Sequence, residues 1–406
     1  MNNQKSSIKN YQSFLLENIG QLTTFNPDSG EVETTSNTSL CIEDGIIVEN
    51  VSGESVDCSG CLVTPGFVDP HTHPVFKDLR IDEVAMRKAG ATYEEIAAKG
   101  GGINSSINGV RNASEDELIE LVSKRMDQFL KMGTTTIECK TGYGLNTEAE
   151  LKSLKVIHEV NKHHEIDMIP TFLGAHAFPP EFADNHDSYV DLLCNEMIPA
   201  VAEQGIAVFC DVFCENGYFN VGQSRRILDT AKEHGLIPRL HADEFEDSGA
   251  AELAADVGAI SADHLMAVSE VGMQKMADKN ITATLLPGTT FFLDKDTYAP
   301  AQTLKEMGID IALATDFNPG SCHIQSMPFI MHLAIKHMGM TVEQAFASST
   351  YFSVKALNLE HEVGSLTTGR KADIIVWDVE KLEDIPFHNS ELPIKMIFKN
   401  GKAIDS

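Results

Sequence analysis

The sequence predicts an α/β protein built around a (β/α)8 TIM-type barrel, with a small composite β-sandwich module made from both termini. Two observations predict it. Between residues 65 and 364, short apolar strand-like runs alternate with helical patterns, which is typical of a parallel sheet buried on both faces. The two ends of the chain instead contain short strands and turns without long helices. We therefore expect the barrel over 65–364 and the β-module over 1–64 and 365–406.

Eight strand-like runs follow one another through the predicted barrel. Helical patterns separate them, as in residues 114–133, where Leu118, Leu121 and Val122 recur at helical spacing and a glycine ends the run. Eight such units in about 300 residues fit a closed barrel better than an open doubly wound sheet. No dinucleotide-binding glycine pattern follows the first strand. The predicted strands are 65–73, 134–140, 167–176, 207–215, 238–243, 261–264, 281–288 and 310–316.

The flanking segments provide the predicted β-module. Residues 39–51 and 61–65 precede the barrel, and 364–380 and 394–405 follow it, all with short apolar runs between turn residues. Neither flank is large enough to bury a core alone, so we expect the two to pack together beside the barrel. The first 38 residues show no pattern that predicts a structure.

Composition and charge restrict the possible partners. The 406 residues include 60 acidic and 31 basic ones, which gives a formal net charge of −29. Such a surface repels nucleic acid and anionic membranes, and an anionic substrate would need a local cation in its site. The chain contains no apolar run of about 18 residues and no signal-peptide pattern. We expect a cytoplasmic protein whose eight cysteines, including the Cys58 and Cys61 pair, are reduced.

Residues that can bind a metal stand at the carboxyl ends of the predicted strands, where barrel enzymes place their active sites. His71 and His73 lie two apart on the first strand, so both side chains point to the same face. The fifth strand ends at His241 and the eighth at Asp316. Three imidazoles and one carboxylate suit Zn²⁺ or Fe²⁺. We therefore predict one divalent ion bound by these four residues.

Glu244 is the first candidate for acid–base chemistry. It follows His241 by three residues, so a turn after the strand can bring its carboxylate close to a water that the ion acidifies. A carboxylate at a helix N-terminus is the alternative interpretation, because the helix dipole favours it there. The position beside a predicted ligand favours catalysis.

This arrangement resembles the amidohydrolase superfamily. The shared features are the H-x-H pair on the first strand, histidines at the ends of the fifth and sixth strands, and the aspartate after the eighth. Residues 364–378 also resemble the C-terminal β-module of that superfamily. Its dinuclear members carry a carboxylated lysine at the end of the fourth strand, where this chain has Cys214 and Glu215. The resemblance therefore implies a mononuclear site.

Longer motifs resemble the imidazolonepropionase family of histidine degradation, from about residue 40 to the C-terminus. That family opens the cyclic amide of 4-imidazolone-5-propanoate and releases N-formimidoyl-L-glutamate. The matching segments are 90–103, 138–145, 171–181, 211–215, 241–245, 261–265 and 313–321. The resemblance implies substrate contacts from Arg80, Tyr93, Tyr143, His176, Glu244, His264, Asn318, Gly320 and Ser321. A bidentate pair between Arg80 and the propionate would supply the cation that an acidic protein needs.

The resemblance also implies catalytic roles for three residues. We expect Glu244 to be the chief acid–base group and His264 to donate to the developing oxyanion. Asp316 is then a ligand that also orients the water, and it remains a second candidate for the base. The same interpretation includes a homodimer.

Two alternatives stay open. A deaminase of nucleobases or nucleosides would use the same histidines and carboxylates, but its substrate has no carboxylate for Arg80 to bind. A metal-binding barrel without catalysis would keep the ligands and would have no use for Glu244 and His264 beside them.

Overall fold

The computed structural model describes residues 12–90 and 101–404. Its strands are β1 Ser13–Asn26, β2 Glu31–Glu43, β3 Ile46–Val48, β4 Glu54–Asp57, β5 Leu62–Pro65, β6 Phe67–Asp69, β7 Thr134–Lys140, β8 Asp167–Ala175, β9 Phe209–Cys214, β10 Ile237–Ala242, β11 Ser261–His264, β12 Thr282–Leu285, β13 Ile311–Leu313, β14 Ile374–Trp377, β15 Ile394–Lys399 and β16 Lys402–Ile404.

Helices alternate with the strands of the middle of the chain. The α-helices of the described residues are Ile81–Lys88, Ile103–Asn112, Glu115–Lys131, Thr147–His163, His186–Leu192, Ile198–Gln204, Val221–Glu233, Ala250–Val257, Glu270–Lys279, Pro287–Phe292, Ala301–Glu306, Met327–Met338, Val342–Ser348 and Tyr351–Lys355. A π-helical turn at Leu193–Met197 joins two of them, and 3-10 turns lie at Pro180–Phe182 and Leu382–Phe387. None of the described helices combines the length and the apolar character that crossing a bilayer requires.

The predicted barrel is confirmed. Strands β6 to β13 pair in chain order, each parallel to the next, and an isolated parallel bridge between Thr72 and Phe317 connects the last strand region to the first. The helix predicted within 114–133 is present as Glu115–Lys131, and the side chain of Ser114 accepts a hydrogen bond from the backbone N–H of Glu117 at its start. All seven residues of β7 are buried, as expected for a parallel strand covered on both faces.

The β-module is a separate mixed sheet made from both ends of the chain, as predicted. Strand β5 pairs in parallel with β1 and antiparallel with β14, which joins the N-terminal and C-terminal segments. The indole N–H of Trp377 on β14 donates to the hydroxyl of Thr64 on β5 over 2.8 Å. The Trp377 ring also lies 5.9 Å from the ring of Phe67, so it packs against the first barrel strand.

The longest strands of the module lie where the sequence shows no usable pattern. β1 and β2 form an antiparallel hairpin over Ser13–Asn26 and Glu31–Glu43. Most of β2 is exposed, and Asn18 in β1 adopts a left-handed conformation at the point where the pairing register shifts. Because neither strand keeps a clean two-residue alternation of apolar and polar side chains, periodicity does not reveal the hairpin.

The cysteines are all free thiols in this structure. Seven of the eight are buried, Cys58 and Cys61 among them, which agrees with their interpretation as reduced core residues.

Candidate active site at the carboxyl ends of the barrel strands

A cavity of about 490 Å³ opens at the carboxyl ends of the barrel strands. This volume suits a small molecule. Its walls, among the described residues, are His73, Arg80, Glu83, Gly102, Ile103, Tyr143, His176, Phe213, Tyr218, His241, Glu244, Phe245, His264, Leu293, Asp316, Asn318 and Ser321. Most of the predicted site residues therefore face one space. Tyr93 lies outside the described residues.

The junction between the first and eighth strands brings three predicted ligands together. The bridge between Thr72 and Phe317 sets the register of the two segments. The backbone N–H of Asp316 donates to the carbonyl of His71 over 3.1 Å, and that of His73 donates to the carbonyl of Phe317 over 2.8 Å. The H-x-H pair and the aspartate thus meet because the barrel closes at this point.

The ligand atoms are spaced as a tetrahedral metal site requires. His71 Nε2 lies 3.2 Å from His73 Nε2, and Asp316 Oδ1 lies 3.6 Å and 3.4 Å from the same two nitrogens. Metal–ligand bonds of about 2.0–2.1 Å in a tetrahedron place neighbouring ligand atoms roughly 3.3–3.4 Å apart. The ring of His241 lies 4.5 Å from that of His71 and 5.4 Å from that of His73. His71, His73 and Asp316 form one group that could hold a metal ion, and His241 shares a second such group with His71 and His264.

Protonation also favours metal binding at the first strand. Burial lowers the pKa of His71 and His73 well below the usual range, so both imidazoles are neutral, which is the form that binds metals. For His241, burial alone would lower the pKa, but the Asp211 carboxylate outweighs that effect and the pKa is raised. Metal binding at His241 would then release a proton.

Carboxylates behind the ligands fix their orientation. His71 Nδ1–H donates to Asp263 Oδ2 over 2.7 Å, and His241 Nδ1–H donates to Asp211 Oδ1 over 3.1 Å. Each bond leaves Nε2 as the nitrogen that is available to a metal ion. The hydroxyl of Thr289 donates to Oδ2 of Asp316. The other oxygen, Oδ1, is left to face the two histidines of the first strand.

Glu244 and His264 lie side by side above the ligands. The distance from His264 Nε2 to Glu244 Oε2 is 3.7 Å, and both side chains are almost fully buried. Burial, reinforced by the charge of Asp316, raises the pKa of Glu244 to about 8. Burial lowers the pKa of His264 to about 3, so its imidazole is neutral. A carboxyl group that titrates near neutral pH beside a neutral imidazole is suited to acid–base chemistry.

Two of the predicted catalytic residues have an unusual backbone. His264 has a φ of 80° and Asp316 a φ of 53°, both in the left-handed region that residues other than glycine seldom adopt. Conformations of this kind cluster at functional sites, where the surrounding structure holds them in place.

Arg80 crosses one wall of the cavity, over Gly320. Its backbone N–H donates to the carbonyl of Pro319 over 2.9 Å, and its Nε lies 3.7 Å from Oε1 of Glu83. A Cβ atom added at Gly320 would lie 1.6 Å from Nη2 of Arg80. The glycine therefore provides the space in which the guanidinium lies.

Asn318 and Ser321 belong to the same loop, and Asn318 organises it. Its Oδ1 accepts from the backbone N–H groups of Gly320 over 2.9 Å and Ser321 over 2.7 Å. Its Nδ2 donates to the carbonyl of Asp316 over 2.7 Å and to the Ser321 hydroxyl over 2.8 Å. The amide thus shapes the wall that carries Asp316, and both residues line the cavity.

Two further ring-bearing side chains, His176 and Tyr143, line the cavity. The ring of His176 stacks on that of His73, with centroids 5.2 Å apart, and its Nδ1–H donates to the carbonyl of Gly142 over 2.9 Å. The ring of Tyr143 lies 5.2 Å from that of His176 and is nearly fully buried. Burial raises the pKa of Tyr143, so its phenol stays protonated.

Several residues around the site are not evident from the strand ends alone. Asp211, Asp263 and Thr289 contact the ligands, and Lys140 and Arg239 contact the two aspartates. For the four charged residues among them, the signal in the sequence is a charged side chain inside an apolar strand, which is rare in a buried strand unless the charge is paired. The pairing partner lies on another strand, so the sequence does not identify it.

Comparisons with known proteins identify the family. A model of the amidohydrolase family matches residues 62–404. The chain is 45% identical over 369 residues to an imidazolonepropionase of Alkaliphilus metalliredigens, which covers 90% of this chain and 87% of the relative. It is 47% identical over 351 residues to that of Geobacillus kaustophilus, which covers 86% and 82% respectively.

A solved structure shows the same fold at lower sequence similarity. The structure of an adenosine deaminase from Xanthomonas campestris with bound zinc matches with a TM-score of 0.69 and 17% identity, over 96% of this chain and 92% of that one. At this identity the match reports the fold alone. The family model and the two relatives together show that the chain belongs to the amidohydrolase family and, within it, to the imidazolonepropionases.

Proposed function

We propose that this protein hydrolyses the cyclic amide of 4-imidazolone-5-propanoate to N-formimidoyl-L-glutamate, a step of histidine degradation. The relatives that are named imidazolonepropionase support this substrate. The observation that carries the proposal is a cavity with a metal-ligand set at its base and the Arg80 guanidinium on its wall. A substrate with a hydrolysable ring and a carboxylate tail matches both features.

The proposed metal site holds one Zn²⁺ or Fe²⁺ through His71, His73, His241 and Asp316. When bound, the ion would act as a Lewis acid that acidifies a water and polarises the ring carbonyl. Dinuclear members of the superfamily hold a second ion with a carboxylated lysine, and this chain has no lysine at the end of β9. There Glu215 accepts hydrogen bonds through its carboxylate from the backbone N–H groups of Asn216 and Phe245.

Glu244 is the proposed acid–base group. It takes a proton from the attacking water as the water oxygen bonds to the ring carbonyl carbon, and it returns a proton to the ring nitrogen when the C–N bond breaks. A pKa of about 8 suits a carboxyl group that both accepts and donates near neutral pH. His264, neutral and 3.7 Å away, is placed to donate to the developing oxyanion. Asp316 is less suited to proton transfer because its Oδ2 already accepts a hydrogen bond from the Thr289 hydroxyl.

The substrate is proposed to lie between two walls. Arg80 binds the propionate, while Tyr143 and His176 lie along the ring; Asn318, Gly320 and Ser321 shape the wall beside Arg80. A nucleobase deaminase is the second candidate, but it would bury the Arg80 cation against a substrate with no carboxylate. The proposal also includes a cytoplasmic location, which free cysteines favour, and a homodimer, which sedimentation in solution tests.

An ultraviolet assay tests the proposed reaction directly. Purified protein loaded with Zn²⁺ or Fe²⁺ should remove the imidazolone absorbance of the substrate. The same preparation should leave guanine, cytosine and adenosine unchanged. Deamination of a nucleobase without loss of the imidazolone absorbance would overturn the proposal in favour of the deaminase.

A further inference from the structure

A layer of five charged side chains lies beneath the predicted metal ligands. This buried charge layer consists of Glu138 and Lys140 on β7, Asp211 on β9, Arg239 on β10 and Asp263 on β11. All five side chains are fully buried. Burying so many charges is costly unless each one is paired, so their arrangement calls for an explanation.

Lys140 is central to the layer. Its ammonium nitrogen lies 2.7 Å from Asp211 Oδ2, 2.9 Å from Glu138 Oε1 and 4.0 Å from Asp263 Oδ2. Arg239 is more peripheral: its Nη2 lies 3.0 Å from Asp263 Oδ2 and donates to the carbonyl of Pro70 over 2.7 Å. Lys140 is thus the cation that contacts carboxylates from two strands and approaches a third.

All three carboxylates of the layer contact a predicted ligand or the residue between two of them, and Asp263 Oδ2 accepts from His71 Nδ1–H over 2.7 Å. Asp211 Oδ1 accepts from both Nδ1–H and the backbone N–H of His241, each over 3.1 Å. Glu138 Oε2 accepts over 3.1 Å from the backbone N–H of Thr72, the residue between the two histidines of the first strand. Lys140 is therefore one side chain away from ligands on both sides of the site.

We propose that Lys140 is a positioning residue for the metal centre, acting through Asp211 on His241 and through Glu138 on the H-x-H segment. It touches neither the ligands nor the cavity, so its effect is on the geometry of the ligands. Without its charge, Glu138 and Asp211 would repel each other across a dry interior, and Asp211 would lose the contact that aims it at His241. The inference rests on the metal site of the proposed function.

A general structural role is the competing explanation, and the chain provides a matched control for it. Lys399 on β15 is also fully buried, with its ammonium nitrogen 2.7 Å from Asp167 Oδ2 and 2.6 Å from Asp373 Oδ2. Those carboxylates contact no predicted ligand. Lys399→Met and Lys140→Met therefore remove the same kind of ion pair, but only one of them affects the residues behind the metal site.

The experiment measures Zn²⁺ affinity of the metal-free full chain by competition with a chromophoric chelator, and records thermal unfolding of the same samples. Lys140→Met should weaken Zn²⁺ binding by about 10–100-fold, the usual effect of losing support behind a ligand. Lys399→Met should bind Zn²⁺ within about twofold of the parent protein, even if it unfolds at a lower temperature. Lys140→Gln, which keeps a donor and most of the volume, gives the same readout if the methionine variant does not fold.

A double variant tests the route through Asp211. Asp211→Asn should weaken Zn²⁺ binding by itself, and adding Lys140→Met to it should cost clearly less than Lys140→Met costs alone, because the two side chains act in series. Equal loss of affinity in the Lys140 and Lys399 variants, or full additivity with Asp211→Asn, overturns the inference. Absence of Zn²⁺ and Fe²⁺ binding in the parent protein would instead overturn the metal site of the proposed function.

Discussion

Gly320 illustrates how a residue without a side chain determines the position of another. An added Cβ would overlap the guanidinium of Arg80, at 1.6 Å from Nη2. The family resemblance assigns Gly320 to substrate binding but gives no physical reason for a glycine at this position. The structure gives a physical one, because the guanidinium of Arg80, the proposed partner of the propionate, occupies the space that a side chain at this position would fill.

We expect Gly320→Ala to act through Arg80. The methyl group should displace the guanidinium and raise KM for imidazolone propionate at least tenfold, with a smaller change in kcat. Arg80→Met should weaken binding by about 2–5 kcal/mol, the range for truncating one partner of a buried charge pair. Steady-state kinetics checks both. If Gly320→Ala leaves KM unchanged while Arg80→Met raises it, the glycine has no role in placing the arginine.

Glu244→Gln tests the assignment of the acid–base group. The amide keeps the size of the side chain but cannot accept the proton, so kcat should fall by about 10²–10⁴-fold while metal content stays the same. Glu246→Gln, an exposed neighbour, is the matched control and should retain full activity. A Glu244→Gln enzyme with kcat within a few-fold of the parent would make Asp316 the leading candidate for the base.

The same substitution has an opposite effect on stability. The pKa of Glu244 is raised in the fold from its ordinary value of 4.5 to about 8. A raised pKa favours the protonated form, so this contribution to the free energy of unfolding is complete below about pH 4.5 and is lost as the pH rises through about 8. Glutamine does not titrate and suffers no such loss.

Metal-free Glu244→Gln should therefore become more stable than the metal-free parent as the pH increases. The gain should be small near pH 5 and on the order of 2–4 kcal/mol near pH 9. Chemical denaturation at both pH values measures it. A difference that stays constant with pH would show that Glu244 is not held in its protonated form by the fold.

The proposed metal ligands could be predicted from the sequence because the barrel places its strand ends in one ring and the residue types are distinctive. Lys140, Asp211 and Thr289 could not, because their importance comes from contacts between different elements of the fold. A charged side chain within a buried strand signals that a partner exists, but only the packing shows which one.

At the level of elements, the first and eighth strands explain most of the site geometry. Both are short, Phe67–Asp69 and Ile311–Leu313, whereas the sequence predicts 65–73 and 310–316. The residues that were predicted as strand but lie beyond the observed strands include His71, His73 and Asp316. Their segments are connected by single backbone hydrogen bonds and not by regular strand pairing. The strands could be predicted from their apolar character, but their ends could not, because the ligands there interrupt the pattern.

Asp69 holds these two elements together. Its Oδ1 accepts from the backbone N–H of Thr315 over 3.1 Å, and its Oδ2 accepts from the Thr315 hydroxyl over 2.6 Å. Asp69→Ala should lower the free energy of unfolding by about 1–3 kcal/mol, because the backbone N–H and hydroxyl of Thr315 and the backbone N–H of His71 lose their acceptor. Asp69→Asn keeps an amide oxygen for the N–H and should be milder. Denaturant titration of both variants checks this order, and an alanine variant no less stable than the asparagine variant would contradict it.

The β1–β2 hairpin shows where periodicity fails. Its strands carry many threonine, serine and glutamate residues, and most of β2 is exposed on both faces. A strand held by backbone pairing rather than by one buried face shows no two-residue alternation. The composite module was predicted from the apolar runs of residues 39–51, 61–65, 364–380 and 394–405, which include the buried strands β5 and β14.

At the scale of the whole molecule, one closed barrel brings distant parts of the sequence to a single centre. His71 and Asp316 are separated by most of the chain, yet the distance between their ligand atoms is 3.6 Å. The net charge of −29 makes a local cation necessary for an anionic substrate, and Arg80 on the cavity wall is the cation that we propose for this role. The fold, the ligand set and the cation together lead to hydrolysis of a carboxylate-bearing ring.

We propose that one divalent ion, bound by His71, His73, His241 and Asp316, drives this hydrolysis. Titration of the metal-free protein with Zn²⁺ or Fe²⁺, with metal content and loss of imidazolone absorbance measured on the same samples, tests it most directly. Activity should rise linearly with added metal and saturate at one ion per chain, and His241→Ala should lose metal and turnover together. Full activity without metal, or saturation at two ions per chain, would contradict it.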